Sequence, residues 1–403
     1  MSSYLELVKF EYKKILRKRS TIIILVIGIL LTAISGVSPL FGYYYVDGKI
    51  LESHYEGMKK DREYRRGLSG REINRDLLSE TIEAYSRVPV ANGRYSATEE
   101  YQEYARPYSG VFYIISHVYN LNSNTNGVTE MLLLTEENLN KFYDIRQSMV
   151  ERNIENTTMS PEEKAKSKEL SRKVKTPFIY SYTGGYTRFL SQMYVTAILI
   201  CFICLICISP LFAGEYTNGM DGLIFSSKYG KNKVIRAKLF TGISLTILFS
   251  VLLIIASYVT IMTVFGWDGK DAPIQLQYPL SIIPLTMGQV ALLYSAIVIF
   301  GNILSSSLTM VLSAKLKSPY IVLVIMTALT IIPAFVNVSD SVLWIYHLSN
   351  LIPVKMFDIN NVISIFSINF PGLTIQPYVL IISFAAVASM ALLPLVYRNF
   401  KKT

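Results

Sequence analysis

The sequence predicts an all-α integral membrane protein with six transmembrane helices. Of its 403 residues, 51% are apolar and only 17% are charged, so the chain is poorer in charge than a soluble globular protein usually is. The mean hydropathy is positive, at +0.35. Six apolar stretches have about the 20 residues that a helix needs to cross the hydrocarbon core. They are residues 21–43, 190–213, 239–266, 285–312, 319–337 and 377–397.

Residues 1–20 are predicted to form an amphipathic helix that lies on the inner face of the membrane. Ser3 and Glu6 have the spacing of a capping box, which satisfies two backbone amides at a helix start. The helical period gathers the apolar residues in one stripe and the basic residues on the rest of the surface. The stripe contains Tyr4, Leu5, Val8, Tyr12, Ile15 and Leu16, and the basic face contains Lys9, Lys13, Lys14, Arg17 and Lys18. The alternative is a solvated basic segment that only precedes the first span.

A secretory signal peptide is a further interpretation of the N-terminus. A basic region precedes an apolar run, and small residues occur at Ser35 and Gly36. The apolar run continues past them towards Tyr43. This length favours a transmembrane helix, 21–43, that is retained.

Lys and Arg residues indicate the orientation, because they are enriched in the short cytoplasmic loops of membrane proteins. The N-terminal arm has six of them, the 214–238 loop five, the "SAKLKSP" loop two and the 398–403 tail three. The short loops on the opposite side have only Lys270 and Lys355. Both termini are therefore predicted to be cytoplasmic. The net charge of +10 then reflects membrane orientation, and nucleic acid is not expected as a partner.

Residues 44–189 are predicted to form a mainly helical extracytoplasmic domain between the first two spans. This segment has 21 basic and 21 acidic residues. The tetrapeptides "SGRE" at 69–72 and "SPEE" at 160–163 indicate helix starts. Its many Tyr residues suit either the binding of an amphipathic ligand or a position at the membrane interface.

Residues 338–376 are predicted to lie on the same outer side as short interfacial or re-entrant helices. The segment is apolar, but Pro353 and Pro371 interrupt it, and polar residues occur throughout. A continuous span is therefore not expected there.

The sequence contains no pattern that indicates catalysis, a metal or a bound cofactor. A phosphate-binding loop needs a Gly-rich turn followed by Lys and Ser or Thr, and none is present. The three His residues are far apart in the sequence, and the three Cys residues lie inside the 190–213 span, where buried inert thiols are expected. The chain is therefore not expected to be an enzyme.

The segment "FAGEYTNGMDGLIFSSKYGKNKVIRAK" at 212–238 carries the strongest functional signal. It follows the second span, and a short apolar run lies between glycines and basic residues. A brief amphipathic helix of this kind can dock into a groove on a cytosolic protein.

This segment resembles the corresponding loop in permease subunits of bacterial ABC transporters of the type-2 exporter class. The resemblance includes the basic N-terminal helix and covers the six-span body, but not the outer domain. The matching residues are Glu215, Gly219, Leu223, Ile224, Phe225, Ser226, Arg236 and Lys238. Family members often have Pro after that Ser and a Ser-Arg pair beyond it, whereas this chain has "SKYGKNK".

The resemblance implies a cytoplasmic coupling helix at about 219–230 and a separate cytosolic ABC ATPase dimer that binds ATP and Mg. It also implies a pair of permeases, formed by a second copy or a different chain, that exports an amphipathic peptide, antibiotic or lipid, as in antimicrobial peptide export or immunity. The implied coupling residues are Glu215, Gly219, Leu223, Ile224, Phe225, Lys228 and Arg236, and the N-terminal helix would brace the ATPase through Lys13, Lys14, Arg17 and Lys18.

Three other interpretations remain open from the sequence. The chain could be a membrane-anchored sensor or assembly module whose outer domain binds a ligand. It could be an integral membrane enzyme that acts on lipid headgroups. Within the transporter class, a permease with four spans and a large outer domain is the nearest alternative.

Overall fold

The chain is mainly helical throughout its described residues. The computed structural model describes residues 2–46, 49–89, 96, 98–121, 127–227, 230–370 and 373–402. Helix α1 (Ser2–Leu16) already includes Ser3, which the predicted capping box placed just before the first helical residue. Helix α2 (Arg19–Val37) follows after a short break at 17–18.

The 44–189 segment, called the outer domain below after its predicted location, combines a β-hairpin with helices. Strand β1 (Tyr43–Val46) pairs antiparallel with β2 (Lys49–Ser53). The helices are α3 (His54–Gly67), α4 (Arg75–Ser86), α5 (Ser109–Val118), α6 (Gly127–Leu132), α7 (Glu136–Asn140), α8 (Phe142–Glu155) and α9 (Pro161–Ser171). The hairpin is an addition to the all-α expectation.

The two predicted helix starts in this domain have different outcomes. At α9 the prediction is confirmed, because the Ser160 side chain accepts from the backbone N–H of Glu163 and the Glu163 carboxylate bonds back to Ser160. At α4 the prediction of a start at Ser69 is wrong, and Asn74 caps the helix instead. Residues 70–73 do not join the helix, because their backbone groups form hydrogen bonds with residues 178–180.

The apolar helices follow the outer domain. They are α10 (Gly184–Ile208), α11 (Pro210–Thr217), α12 (Asp221–Ser226), α13 (Ile235–Phe265), α14 (Met287–Leu316) and α15 (Pro319–Phe335). Helix α11 continues α10 beyond a break at Pro210, and α12 is a short helix before α13.

The last part of the chain returns to the bundle. Three short helices, α16 (Leu343–Asn350), α17 (Pro353–Met356) and α18 (Ile359–Val362), precede a second antiparallel hairpin. That hairpin pairs β3 (Ile368–Phe370) with β4 (Leu373–Ile375). Helix α19 (Pro377–Lys402) then packs extensively on α14.

Five helices in the described residues are long and apolar enough to cross a membrane. They are Arg19–Leu40, Gly184–Thr217, Asn232–Phe265, Met287–Leu316 and Pro377–Phe400. The predicted 319–337 span corresponds to α15, an apolar helix of 17 residues that contains Pro333 and ends before the extended residue Val336. Length and composition therefore support a multi-pass membrane protein, while the count of six is not established by them.

The outer domain sits directly on the connection between α13 and α14. The buried Arg146 of α8 donates to the backbone carbonyls of Pro279 and Ser281, both at 2.8 Å. Burial lowers the pKa of Arg146 to about 10, so the guanidinium remains charged at neutral pH. The Tyr113 hydroxyl of α5 donates to the Gln277 carbonyl at 2.9 Å. One continuous apolar core runs from the outer domain into the bundle.

Candidate functional site

A buried cluster of charges lies at the end of the bundle where α1 meets α13. The Lys238 side chain is 0% exposed, and its Nζ lies 2.8 Å from Glu11 Oε1 and 2.5 Å from Glu215 Oε1. Both carboxylates are also buried. A buried ammonium requires such partners, because removing it from water is expensive unless opposite charges compensate.

Lys14 completes this cluster by pairing with Glu215 from α1. The four residues, Glu11, Lys14, Glu215 and Lys238, are called the ion cluster below. The cluster is neutral overall, since it contains two Lys and two Glu side chains. It connects α1, near the N-terminus, with α11 and α13.

Helix α1 packs against the start of α13 through one face. Val8, Glu11 and Ile15 are buried on that face. The Tyr12 hydroxyl donates to Ser244 Oγ on α13 at 2.5 Å. The helix is thus docked on the bundle by apolar, polar and charged contacts together.

The position of Glu215 depends on a break in the second span. Pro210 has no backbone N–H and begins α11, so the amides in the first turn of α11 need other acceptors. Ser313 Oγ of α14 accepts from the N–H of Phe212 at 3.2 Å and of Ala213 at 2.9 Å, and it donates to the Ser209 carbonyl at 2.7 Å. One buried hydroxyl therefore holds the helix that carries Glu215.

Gly219 forms the turn between α11 and α12. Its φ of +65° is in the left-handed region, where Gly is favoured. The N–H of Gly219 donates to the Tyr216 carbonyl at 3.1 Å, and the N–H of Met220 donates to the Glu215 carbonyl at 2.9 Å. These two bonds make a Schellman motif. The motif sets the direction of α12 relative to Glu215.

The apolar residues of α12 face in different directions. Leu223 is 64% exposed, whereas Ile224 and Phe225 are half-buried. The Phe225 ring lies 5.2 Å from the ring of the buried Phe400 on α19. The centroid of the Phe400 ring also lies 5.1 Å from that of the Phe212 ring. The segment predicted to dock on a partner therefore offers Leu223 outwards and uses Phe225 to attach α12 to the bundle.

Gly230 fits closely against the end of α12. A Cβ atom at this position would overlap the carbonyl oxygen of Ile224. The predicted 219–230 helix is accordingly shorter, with α12 ending at Ser226.

The predicted basic residues differ in their environments. Lys13, Arg17, Lys18 and Arg236 are exposed, whereas Lys14 turns inwards to Glu215. Lys228 lies outside the described residues. The exposed charges surround the same end of the bundle as Leu223, since α1, α12 and the start of α13 meet there.

The sequence analysis did not single out Glu11, and it included Lys238 among the residues of the resemblance without giving it a charged partner. Two signals could have found them. The helical period places Glu11 beside the apolar stripe of α1, and Lys238 stands next to a long apolar run, where an ionisable residue needs a partner. Phe400 carried no such signal, because an aromatic residue near the end of an apolar helix is ordinary.

The described residues hold no group of three His, Cys, Asp or Glu side chains suited to a metal ion. Cys201, Cys204 and Cys207 are free and buried in α10. The ion cluster itself consists of ammonium and carboxylate groups, whose interactions are electrostatic.

No family model, no curated protein and no solved structure matches this chain.

Proposed function

We propose that this protein is the permease subunit of a bacterial ABC exporter and has no ATPase site of its own. A separate cytosolic ATPase dimer binds ATP and Mg, and this chain converts the closure of that dimer into movement of its spans. The "FAGEYTNGMDGLIF" pattern and the basic N-terminal helix support this proposal. The cargo is an amphipathic peptide, antibiotic or lipid.

The observation that carries the proposal is the ion cluster beneath an exposed apolar residue. Leu223 is presented to the outside on α12, and the Schellman motif at Gly219 joins α12 to the helix of Glu215. Glu215 is in turn bound to Lys238 on α13. A force applied at Leu223 can therefore reach α11 and α13 through these contacts.

The contacts at this end of the bundle support an even number of membrane crossings. Glu11, near the N-terminus, binds Lys238, and Phe400, near the C-terminus, contacts Phe225. Both termini therefore lie at one end of the bundle. Five long helices and α15 together give the six crossings of the proposed topology, with both termini cytoplasmic in the plasma membrane. Labelling of a Cys placed at Lys315 would then occur only from the cytoplasmic side.

The proposed transporter contains a second permease, either another copy or a different chain. Large apolar side chains are exposed on α15 and α19, including Phe335 and Met390. Lipid and the second permease would share these surfaces, since a chain that crosses a membrane needs no water-compatible exterior there.

The first test is gentle purification of the full-length protein from its native membranes, followed by identification of the soluble proteins that accompany it. An ATP-binding subunit is expected. Leu223→Ser should reduce its recovery about tenfold, because a buried leucine at an interface contributes roughly 1.5–3 kcal/mol.

Leu133→Ser is the matched control. Leu133 is 75% exposed in the outer domain, far from α12, so its replacement should leave the recovery unchanged. Absence of an ATPase under conditions that preserve the oligomer would refute the proposal. Recovery of a different inner partner would instead favour the sensor or assembly module.

A further inference from the structure

A large cleft lies between the outer domain and the connection from α13 to α14. Its volume is about 830 Å³, within the range of roughly 300–1,000 Å³ that small-molecule sites have. Residues 173–181 of the outer domain form one wall, and residues from the 267–289 connection form the other. The cleft is at the opposite end of α13 from the ion cluster.

The cleft lies where the bundle helices end. Trp267 follows Phe265, the last residue of α13, and Gln289 is in the first turn of α14. The Trp267 side chain is 55% exposed, and its ring lies 5.7 Å from that of Tyr258. Trp is favoured at the level of lipid headgroups. The part of the cleft next to Trp267 therefore borders the outer leaflet if α13 and α14 cross the bilayer.

The lining of the cleft has an excess of positive charge. It contains Lys173, Lys175 and Lys270 but only one carboxylate, Asp271. This differs from the 44–189 segment as a whole, which has equal numbers of basic and acidic residues. Lys173 pairs with Glu169 at 3.1 Å. Lys175 and Lys270 form no ion pair with any described residue.

Apolar groups stand beside these charges. Ile179 and Trp267 are exposed at the cleft, and Pro284 and Leu285 lie on the same wall as Lys270. A site with both properties suits an amphiphile that carries a phosphate. Free inorganic phosphate would not use the apolar surface.

We propose that this cleft binds the headgroup of an anionic phospholipid from the outer leaflet. The phosphodiester accepts from the ammonium groups of Lys175 and Lys270, and the glycerol and the upper acyl chains contact Trp267 and Ile179. Basic pockets between membrane-spanning helices bind anionic headgroups on the cytoplasmic side, and the same attraction between Lys and phosphate applies to this cleft. The inference rests on the membrane placement of α13 and α14, not on the proposed transport function.

The test uses Trp267 as the reporter. The chain has two Trp residues, so Trp344→Phe leaves Trp267 alone. This variant of the full-length protein is reconstituted in phosphatidylcholine bilayers that contain a trace of nitroxide-labelled phosphatidylglycerol or nitroxide-labelled phosphatidylcholine. Labelled phosphatidylglycerol should quench Trp267 several-fold more strongly. Replacement of both lysines, Lys175→Gln with Lys270→Gln, should abolish this preference, so that the two labelled lipids quench Trp267 equally, because the attraction between Lys and an anionic headgroup is then lost.

Lys141→Gln with Lys166→Gln is the matched control, because both lysines are exposed in the outer domain away from the cleft. It should leave the preference unchanged. Equal quenching by the two lipids in the variant that retains all lysines would overturn the proposal without relying on any charge variant. Loss of the preference on addition of millimolar glycerol phosphate would also overturn it, because the cleft would then recognise a soluble phosphoester.

Discussion

The Lys238 ammonium lies 2.5 Å from Glu215 Oε1 and is completely enclosed by protein. Glu11 shares the same ammonium, and Lys14 shares the same carboxylate. Each charge in the ion cluster is thereby balanced by a neighbour from another helix. Because a buried charge without a partner is costly, the packing of α1, α11 and α13 depends on all three helices being in place.

Loss of Lys238 is therefore expected to be strongly destabilising. Lys238→Met keeps an unbranched side chain of similar length but leaves Glu11 without its partner. The expected loss is about 3–5 kcal/mol, the usual effect of removing one member of a buried ion pair. The measurement is chemical unfolding of the purified protein in detergent.

Lys9→Met serves as the control for this prediction. Lys9 is exposed on the same helix, α1, so its replacement should change the unfolding free energy by less than about 0.5 kcal/mol. Equal stability of the Lys238 and Lys9 variants would show that the ion cluster does not hold the helices together.

The sequence identified individual residues of this region better than it identified the contacts between them. Glu215 and Gly219 were found through a local pattern, and the turn that needs Gly is itself local. The contacts of Lys238 with Glu11, and of Phe225 with Phe400, join distant parts of the chain. Periodicity alone does not determine which helices become neighbours, so these contacts required the structure.

The breaks within the predicted spans were not found from the sequence for a similar reason. An apolar run predicts a span, but Pro210 interrupts the backbone hydrogen bonds of the second one without changing its hydropathy. The hydroxyl that makes this break possible belongs to Ser313, on a different helix. Pro333 likewise lies within an apolar run, although α15 ends soon after it.

Substitutions at Gly219 distinguish the effect of the left-handed backbone conformation from the effect of steric crowding by a Cβ atom. Gly219→Ala should destabilise the protein by about 1 kcal/mol, because a Cβ disfavours the left-handed region even where no atom is near. Gly219→Asn should cost less, since Asn tolerates this conformation. Gly222→Ala is the contrast, because Gly222 is helical with open space around it, and Ala there should be neutral or slightly stabilising. Thermal unfolding of the three variants tests the order.

Two buried serines of α14 allow a matched comparison. Ser313→Ala removes the acceptor for the amides of Phe212 and Ala213 and should cost about 1–3 kcal/mol, the usual penalty for a buried group left unsatisfied. Ser307→Ala should be close to neutral, because the Ser307 hydroxyl is buried without a partner among the described residues. Chemical unfolding of both variants decides the matter, and an equal loss in each would mean that the Pro210 break does not depend on Ser313.

The outer domain contains a second buried charge group with a pH dependence. Arg106 binds Glu52 and Asp61, each at 2.7 Å, and Lys60 binds Glu52 at 2.8 Å. Burial alone would raise the pKa of Glu52, but the hydrogen bonds from Lys60 and Arg106 outweigh it and hold the pKa below its usual 4.5. A carboxylate with a lowered pKa in the folded state stabilises that state above the unfolded pKa, and the stabilisation is lost as the pH falls through the folded value.

Glu52→Gln should therefore lower the stability at pH 7 by about 2 kcal/mol, since hydrogen bonds to charged groups contribute roughly 1.5–3 kcal/mol. The difference from the unsubstituted protein should shrink as the pH falls below 4.5, because the carboxyl is protonated first in the unfolded chain. Below its lowered pKa it is protonated in the folded protein too, where it then resembles Gln. Glu137→Gln is the control, as Glu137 is exposed in a pair with Lys141. Thermal unfolding between pH 7 and pH 3 measures both differences. A Glu52 difference that stays constant to pH 3 would mean that the carboxylate charge is not what stabilises the hairpin on α3.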